Sequence, residues 1–221
     1  MSRTFDFRGH LGSIRQTVQP SAPEMFVRPA IVMSGLLACA ATAAAAEWQA
    51  VEKVDTYAVS GRSGPELYAS IGERGPKLGI TRAIAHTTFR LTWTRKYEPR
   101  GDACVLAEAK PKLVITYTLP EPSDELPAGV RRNWETFFNG VAAHERVHGD
   151  FIKAMVREIE AQSVGLTVEG DPGCIRIRTE LVGRLAALSQ AQRQKSRDFD
   201  RMEMSKGGNI HGLILALVNG G

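Results

Sequence analysis

Apolar and polar residues alternate loosely from Val51 to Val59, and the run ends at Ser60-Gly61. A period of two with a turn signal behind it predicts a strand. Pro65 to Glu73 changes to helical spacing at Leu67, Tyr68 and Ile71, and Gly72 with Gly75-Pro76 stops it. Residues 80–95 alternate again: Ala85, Thr87, Phe89, Leu91 and Trp93 share one side, with His86, Thr88, Arg90, Thr92 and Thr94 on the other. That pattern predicts a long strand with one wet face. Lys112 to Leu119 repeats it and predicts a second strand paired with the first.

Beyond Pro127 the period becomes three and four. Val130, Trp134, Phe137, Val141, His144, His148, Ile152, Met155 and Ile159 form one stripe of a long helix, with Gly149 a weak point in it. A second helix is expected from about Ile175 to Asp200, carrying Ile177, Leu181, Leu185 and Leu188 on one face. Gly207-Gly208-Asn209 then opens a stretch expected to be a loop leading to Leu213–Val218. Strands first and long helices after is the α+β order. The expected fold is a small antiparallel sheet packed on the long helix and a second helix. Residues 47–221 suffice for a single domain with a real core, and hardly for two.

Residues 30–46 follow a different pattern. An apolar run gives way to small residues, Arg28 precedes it, and Ala44-Ala45-Ala46 offers a cleavage site before Glu47. That is the order of a signal peptide. Residues 1–24 do not belong to such a signal; they are an extended leading region, or they lie upstream of a true start at Met25. The run is short, and too rich in alanine, for a stable membrane span. Leu36-Leu37-Ala38-Cys39 resembles a lipoprotein box. The expected location is therefore periplasmic or secreted, with a lipid anchor at Cys39 as the alternative.

The formal net charge of +4 changes little in this picture. Four arginines against Asp6 and Glu24 precede Glu47, and without them the balance falls to +2. Nucleic acid is not an expected partner. A basic cluster at Arg193, Lys195, Arg197 and Arg201 reads as a solvated helix face. Of the three cysteines, Cys104 and Cys174 remain after Cys39, and an even pair in an exported chain predicts a disulfide.

Residues 144–148 read His-Glu-Arg-Val-His on the long helical stripe. Histidines four apart on a helix lie one above the other, so His144 and His148 can share one tetrahedral zinc. Glu145 falls beside them, placed as general base toward a water on the metal. A catalytic zinc usually has a third protein ligand. Asp150 lies about 200° round the helix from His148, which points to a supporting or packing role. His86 sits in a strand among threonines and arginine. His211, after a glycine-rich turn, is the expected third ligand, with Asp200, Glu203 and Glu169 as carboxylate alternatives. No oxyanion donor stands out; Tyr117 and the arginines are candidates.

Several segments together resemble a known family. They are Tyr57-Ala-Val-Ser-Gly61, Leu67-Tyr68-Ala-Ser-Ile71-Gly-Glu-Arg-Gly75-Pro76, Cys104 with the strand ending at Leu119-Pro120, His144-Glu145-Arg-Val-His148-Gly-Asp150, and Phe199-Asp200 with His211-Gly212. Over nearly all of the mature chain they are similar to the predicted secreted zinc-dependent proteases of bacteria, first catalogued as a domain of unknown function. The spacing from Phe199-Asp200 to His211 is longer than in that family, and no threonine precedes the histidine. The resemblance implies a zincin-like fold, export and zinc as cofactor. The expected activity is hydrolysis of a peptide bond in a protein or peptide substrate. Two alternatives stand beside it. One is a non-catalytic envelope protein using the zinc helix for structure or partner binding. The other is an amidase acting on a cell-wall peptide.

Overall fold

A computed structural model of the chain describes residues 48–220. The targeting segment expected over 1–46, with Cys39, lies outside these residues. The described chain is mixed α and β. Three long strands carry most of a four-stranded sheet: β1 (Val51–Val59), β4 (His86–Arg100) and β5 (Ala103–Pro122). Between the first two come helix α1 (Gly64–Arg74) and a minimal hairpin of β2 (Lys77–Leu78) and β3 (Thr81–Arg82). Helix α2 (Ala128–Ser163), the short β6 (Thr167–Val168), α3 (Arg176–Met204) and α4 (Asn209–Asn219) complete it. Among the described residues no helix is long and apolar enough to cross a membrane.

The strands β4 and β5 form a long hairpin, antiparallel from His86 opposite Thr118 to Arg100 opposite Ala103. Gly101 turns it with a φ of 63°, a conformation that costs a residue without a Cβ little. The expected all-antiparallel sheet is corrected at the other edge. Strand β1 runs parallel to β5, with Val51 beside Val114 and Val59 beside Pro122, so the sheet is mixed in the order β1-β5-β4. The reason is topological. The hairpin reverses the chain once more after β4, and β5 then points the same way as β1 and offers it a free edge.

Central β5 has the cleanest alternation. Leu113, Ile115, Tyr117 and Leu119 are buried beneath α2, meeting Phe137, Val141, Ile152, Met155 and Val156. Ile159 and Trp134 extend this core along the helix, and Leu67 and Ile71 of α1 join it together with Ile210 and Leu217 of α4. The tail expected as a loop is thus helical from Asn209. Gly207 and Gly208 only turn the chain, and Ile210, Leu213 and Leu217 then follow helical spacing onto α2 and α1. Gly140 of α2 and Gly64 of α1 make that docking close: a Cβ on either would overlap Leu213 or the Leu217 carbonyl.

A second, smaller core of Leu106, Ala109, Leu166, Ile177 and Leu181 surrounds the Cys104–Cys174 disulfide. The bridge ties the start of β5 to the entrance of α3. There the Asp171 carboxylate accepts from the backbone N–H groups of Ile175, Arg176 and Ile177 at 2.8–3.1 Å, which caps the helix.

Helix α2 is continuous over 36 residues, straight through Gly149. A Cβ at Gly149 would stand 2.1 Å from the Tyr117 hydroxyl oxygen and 3.0 Å from its Cζ, so the glycine is where the sheet approaches the helix most closely. Gly149→Ala is expected to destabilise the protein by about 1–3 kcal/mol through overpacking, read as a lower urea midpoint. Tyr117→Phe in the same chain should restore part of the loss, because the nearest clashing atom is gone. Breaking Cys104–Cys174 by a double alanine substitution should cost about 2–5 kcal/mol in the same measurement.

Candidate metal centre

Helix α2 turns His144 and His148 toward the last turns of α3. Both imidazoles are buried, although the helix around them carries solvated charges such as Arg146 and Asp150. Phe199 of α3 stacks on the His144 ring at 4.7 Å between centroids and meets the His148 ring edge-on at 5.5 Å. Phe151 stands edge-on to both His148 and Phe199. Aromatic walls leave each imidazole little freedom to rotate.

Asp200 follows Phe199 and is the third member of the cluster. Its Oδ1 lies 3.1 Å from His144 Nε2 and 2.9 Å from His148 Nε2, and those two nitrogens are 3.1 Å apart. The tetrahedral geometry of a zinc with bonds of about 2.0–2.1 Å separates its ligand atoms by roughly 3.3 Å. The triangle therefore has the size of one face of that tetrahedron. Two neutral imidazoles and a carboxylate are also a donor set zinc accepts, and among the described residues this is the group of metal-binding side chains that converges. Burial pushes the Asp200 carboxyl up, but hydrogen bonding to His144 and His148 outweighs it and holds the group well below the usual carboxylate range. Burial likewise lowers His148, and the Asp200 carboxylate more than reverses this, so the imidazole ends above its ordinary value.

Glu145 is buried one position round the helix. Its Oε2 accepts a 2.5 Å hydrogen bond from Thr87 Oγ1 of β4, and the same hydroxyl lies 3.1 Å from the Glu145 carbonyl oxygen. Strand and helix thus hold one carboxylate oxygen, while Oε1 receives no protein hydrogen bond among the described residues. The Glu145 charge reaches His148, where it adds to the rise in that imidazole.

The other expected positions separate clearly. His211 does not join the cluster; it lies half-buried on α4, and the third corner belongs to Asp200 instead. The physical reason is the extra helix. The tail does not fold back as a loop but packs through Ile210, Leu213 and Leu217, while α3 runs long enough to bring Asp200 over the histidines. Asp150 is exposed and paired with Lys153 at 2.8 Å, on the side the helical angle indicates. Glu169 lies in the exposed turn after β6, where its carbonyl accepts from Arg176. Glu203 approaches the opposite nitrogen of the His144 ring, with Oε2 3.8 Å from Nδ1. Half-buried His86 begins β4, opposite Thr118. Tyr117 is spent on the helix contact at Gly149, about 100° round from His148, where burial and then the Glu52 charge push its hydroxyl up to about 12. Sequence pattern alone did not show that Thr87 holds the glutamate or that Phe199 clamps the rings. Thr87 was legible only as a core-side strand residue and Phe199 only as a neighbour of Asp200. A separate apolar cavity of about 210 Å³, lined by Pro120, Pro122, Trp134 and Phe138 among others, shares no residue with the cluster.

Residues 54–209 match the family described as bacterial protein of unknown function, DUF922. The chain belongs to this family. The match takes in His144, Glu145, His148, Asp200 and Glu203, while His211 falls just beyond its end. No curated protein and no solved structure matches the chain.

The geometry places Asp200, and not His211, at the third corner of the cluster. In zinc titration of the purified protein, His144→Ala, His148→Ala and Asp200→Ala should each weaken uptake by more than the roughly 10–100-fold that loss of an outer partner costs. His211→Ala should bind as the parent does. Retained uptake in Asp200→Ala with loss in His211→Ala would reverse the ligand order.

Proposed function

We propose that this member of the family is an exported, zincin-like zinc peptidase. The reading is carried by the triangle of His144 Nε2, His148 Nε2 and Asp200 Oδ1 with the Glu145 carboxylate beside it. Three protein ligands around a four-coordinate ion are the pattern of catalytic rather than structural sites. The disulfide supports folding in an oxidising compartment.

Each residue has a distinct task. His144, His148 and Asp200 would hold a zinc ion. When bound, zinc supplies Lewis acidity, bringing the pKa of a water toward about 7 and polarising a carbonyl. Thr87 fixes Glu145 Oε2 and leaves Oε1 to take the proton from the attacking water. Water oxygen then bonds to the carbonyl carbon of the substrate. As the carbon–nitrogen bond breaks, Glu145 delivers the proton to the departing amine, which leaves neutral. The aromatic wall of Phe199 and Phe151 keeps the imidazoles aimed throughout and shields their far faces from water.

Glu145→Gln removes the proton acceptor while keeping size and the bond to Thr87. It should bind zinc like the parent and lose about 10²–10⁴-fold in hydrolysis of unfolded protein or peptide substrates. An unchanged rate would take Glu145 out of the mechanism. Stoichiometric zinc with no hydrolysis of peptide or cell-wall substrates by the parent would favour the non-catalytic envelope protein.

A further inference from the structure

The last turn of α3 addresses both nitrogens of one imidazole. Asp200 and Glu203 are three apart and so share a helix face. Asp200 meets His144 at Nε2, and Glu203 stands 3.8 Å from Nδ1 with its side chain only 17% exposed. His144 Nδ1 is itself fully buried and has no hydrogen-bond partner. Among the described residues Glu203 has no lysine or arginine partner either. A buried ring nitrogen and a mostly buried carboxylate, each lacking another partner, face each other across a gap about 1 Å too long for a hydrogen bond.

We propose that Glu203 is a positioning residue for the metal site: it accepts the Nδ1 proton of His144 and so keeps the Nε2 lone pair directed at the ion. This rests on the zinc reading above. An imidazole that gives Nε2 to a metal must carry its proton on Nδ1, and an N–H buried without an acceptor is costly. A carboxylate on that proton fixes the tautomer and orientation and strengthens the ring as a donor. Phe199 already holds the plane of the ring by stacking, so the remaining freedom is the choice of which nitrogen is protonated. Glu203 itself is not the third ligand, because it approaches the side of the ring facing away from the Asp200 corner.

The test is zinc affinity by competition with a chromophoric chelator, for the parent, E203Q and E203A. E203A is expected to bind zinc about 10–100-fold more weakly than the parent. E203Q should fall between them, since an amide oxygen still accepts from Nδ1. All three metal-free proteins should unfold at the same urea concentration. In proton NMR of the zinc-loaded protein, a slowly exchanging His144 Nδ1–H resonance should be present in the parent and lost in E203A. Equal affinity in parent and E203A would overturn the inference while leaving the metal site intact. An equal drop in urea midpoint for both variants, with no change in affinity once folded, would make Glu203 merely structural. A parent that takes up no zinc would instead remove the metal reading on which the inference rests.

Discussion

Two helices crossing at one point set the candidate site, and everything else in the domain holds that crossing in register. Asp200 reaches His144 and His148 from more than 50 residues away in sequence, and a shift of 1 Å between α2 and α3 would open the triangle. Side-chain packing resists such a shift because interiors are dense. Here the constraint is applied from both ends of α3. The disulfide and the Asp171 cap fix where it starts. Beyond its last turn, Gly207 and Gly208 send the chain into α4, which is locked against α2 by Leu213 at Gly140.

Polar groups in this crossing would be a liability if they lacked partners. Two imidazoles and three carboxylates sit within or beside an aromatic shell, where unpaired charge is expensive. Asp200 answers the Nε2 atoms, Thr87 answers Glu145, and Glu203 faces the buried Nδ1 of His144. The sheet therefore does more than support the helix from below. Its β4 edge reaches past the core to hold the glutamate, so sheet, motif helix and α3 each contribute one contact that the other two cannot make.

Gly149 shows how closely those layers are set. A helix interior ordinarily disfavours glycine by about 1 kcal/mol relative to alanine. In α2 the missing Cβ is the space occupied by the Tyr117 hydroxyl, and the helix continues unbroken. The penalty is accepted because it lets α2 lie directly on β5 while the neighbouring residue, His148, turns to Asp200. The α2 interruption that a lone glycine suggests does not occur, since buried contacts on both sides of the position sustain the helix.

Local pattern determined a great deal by itself. The alternation along β5, the three-and-four stripe of α2 and the His144-Glu145-x-x-His148 spacing are short-range properties. They dictate which face of an element is apolar and which side chains stand together on it. Cysteine parity likewise pointed to Cys104 with Cys174. Family membership over residues 54–209 follows from sequence alone too. What periodicity cannot carry is relative placement. Strand direction depends on how many times the chain reverses before β5, so β1 proved parallel where a simple antiparallel sheet was expected. The third corner of the cluster depends on the length and angle of α3, not on which histidine remains unassigned. His211 had the right chemistry and a glycine turn before it, yet the apolar spacing of Ile210, Leu213 and Leu217 folded that tail into a helix, and the packing of α3 put Asp200 over the histidines. A ligand four residues away is a fact of helix geometry; a ligand 52 or 56 residues away is decided only when the core between them closes.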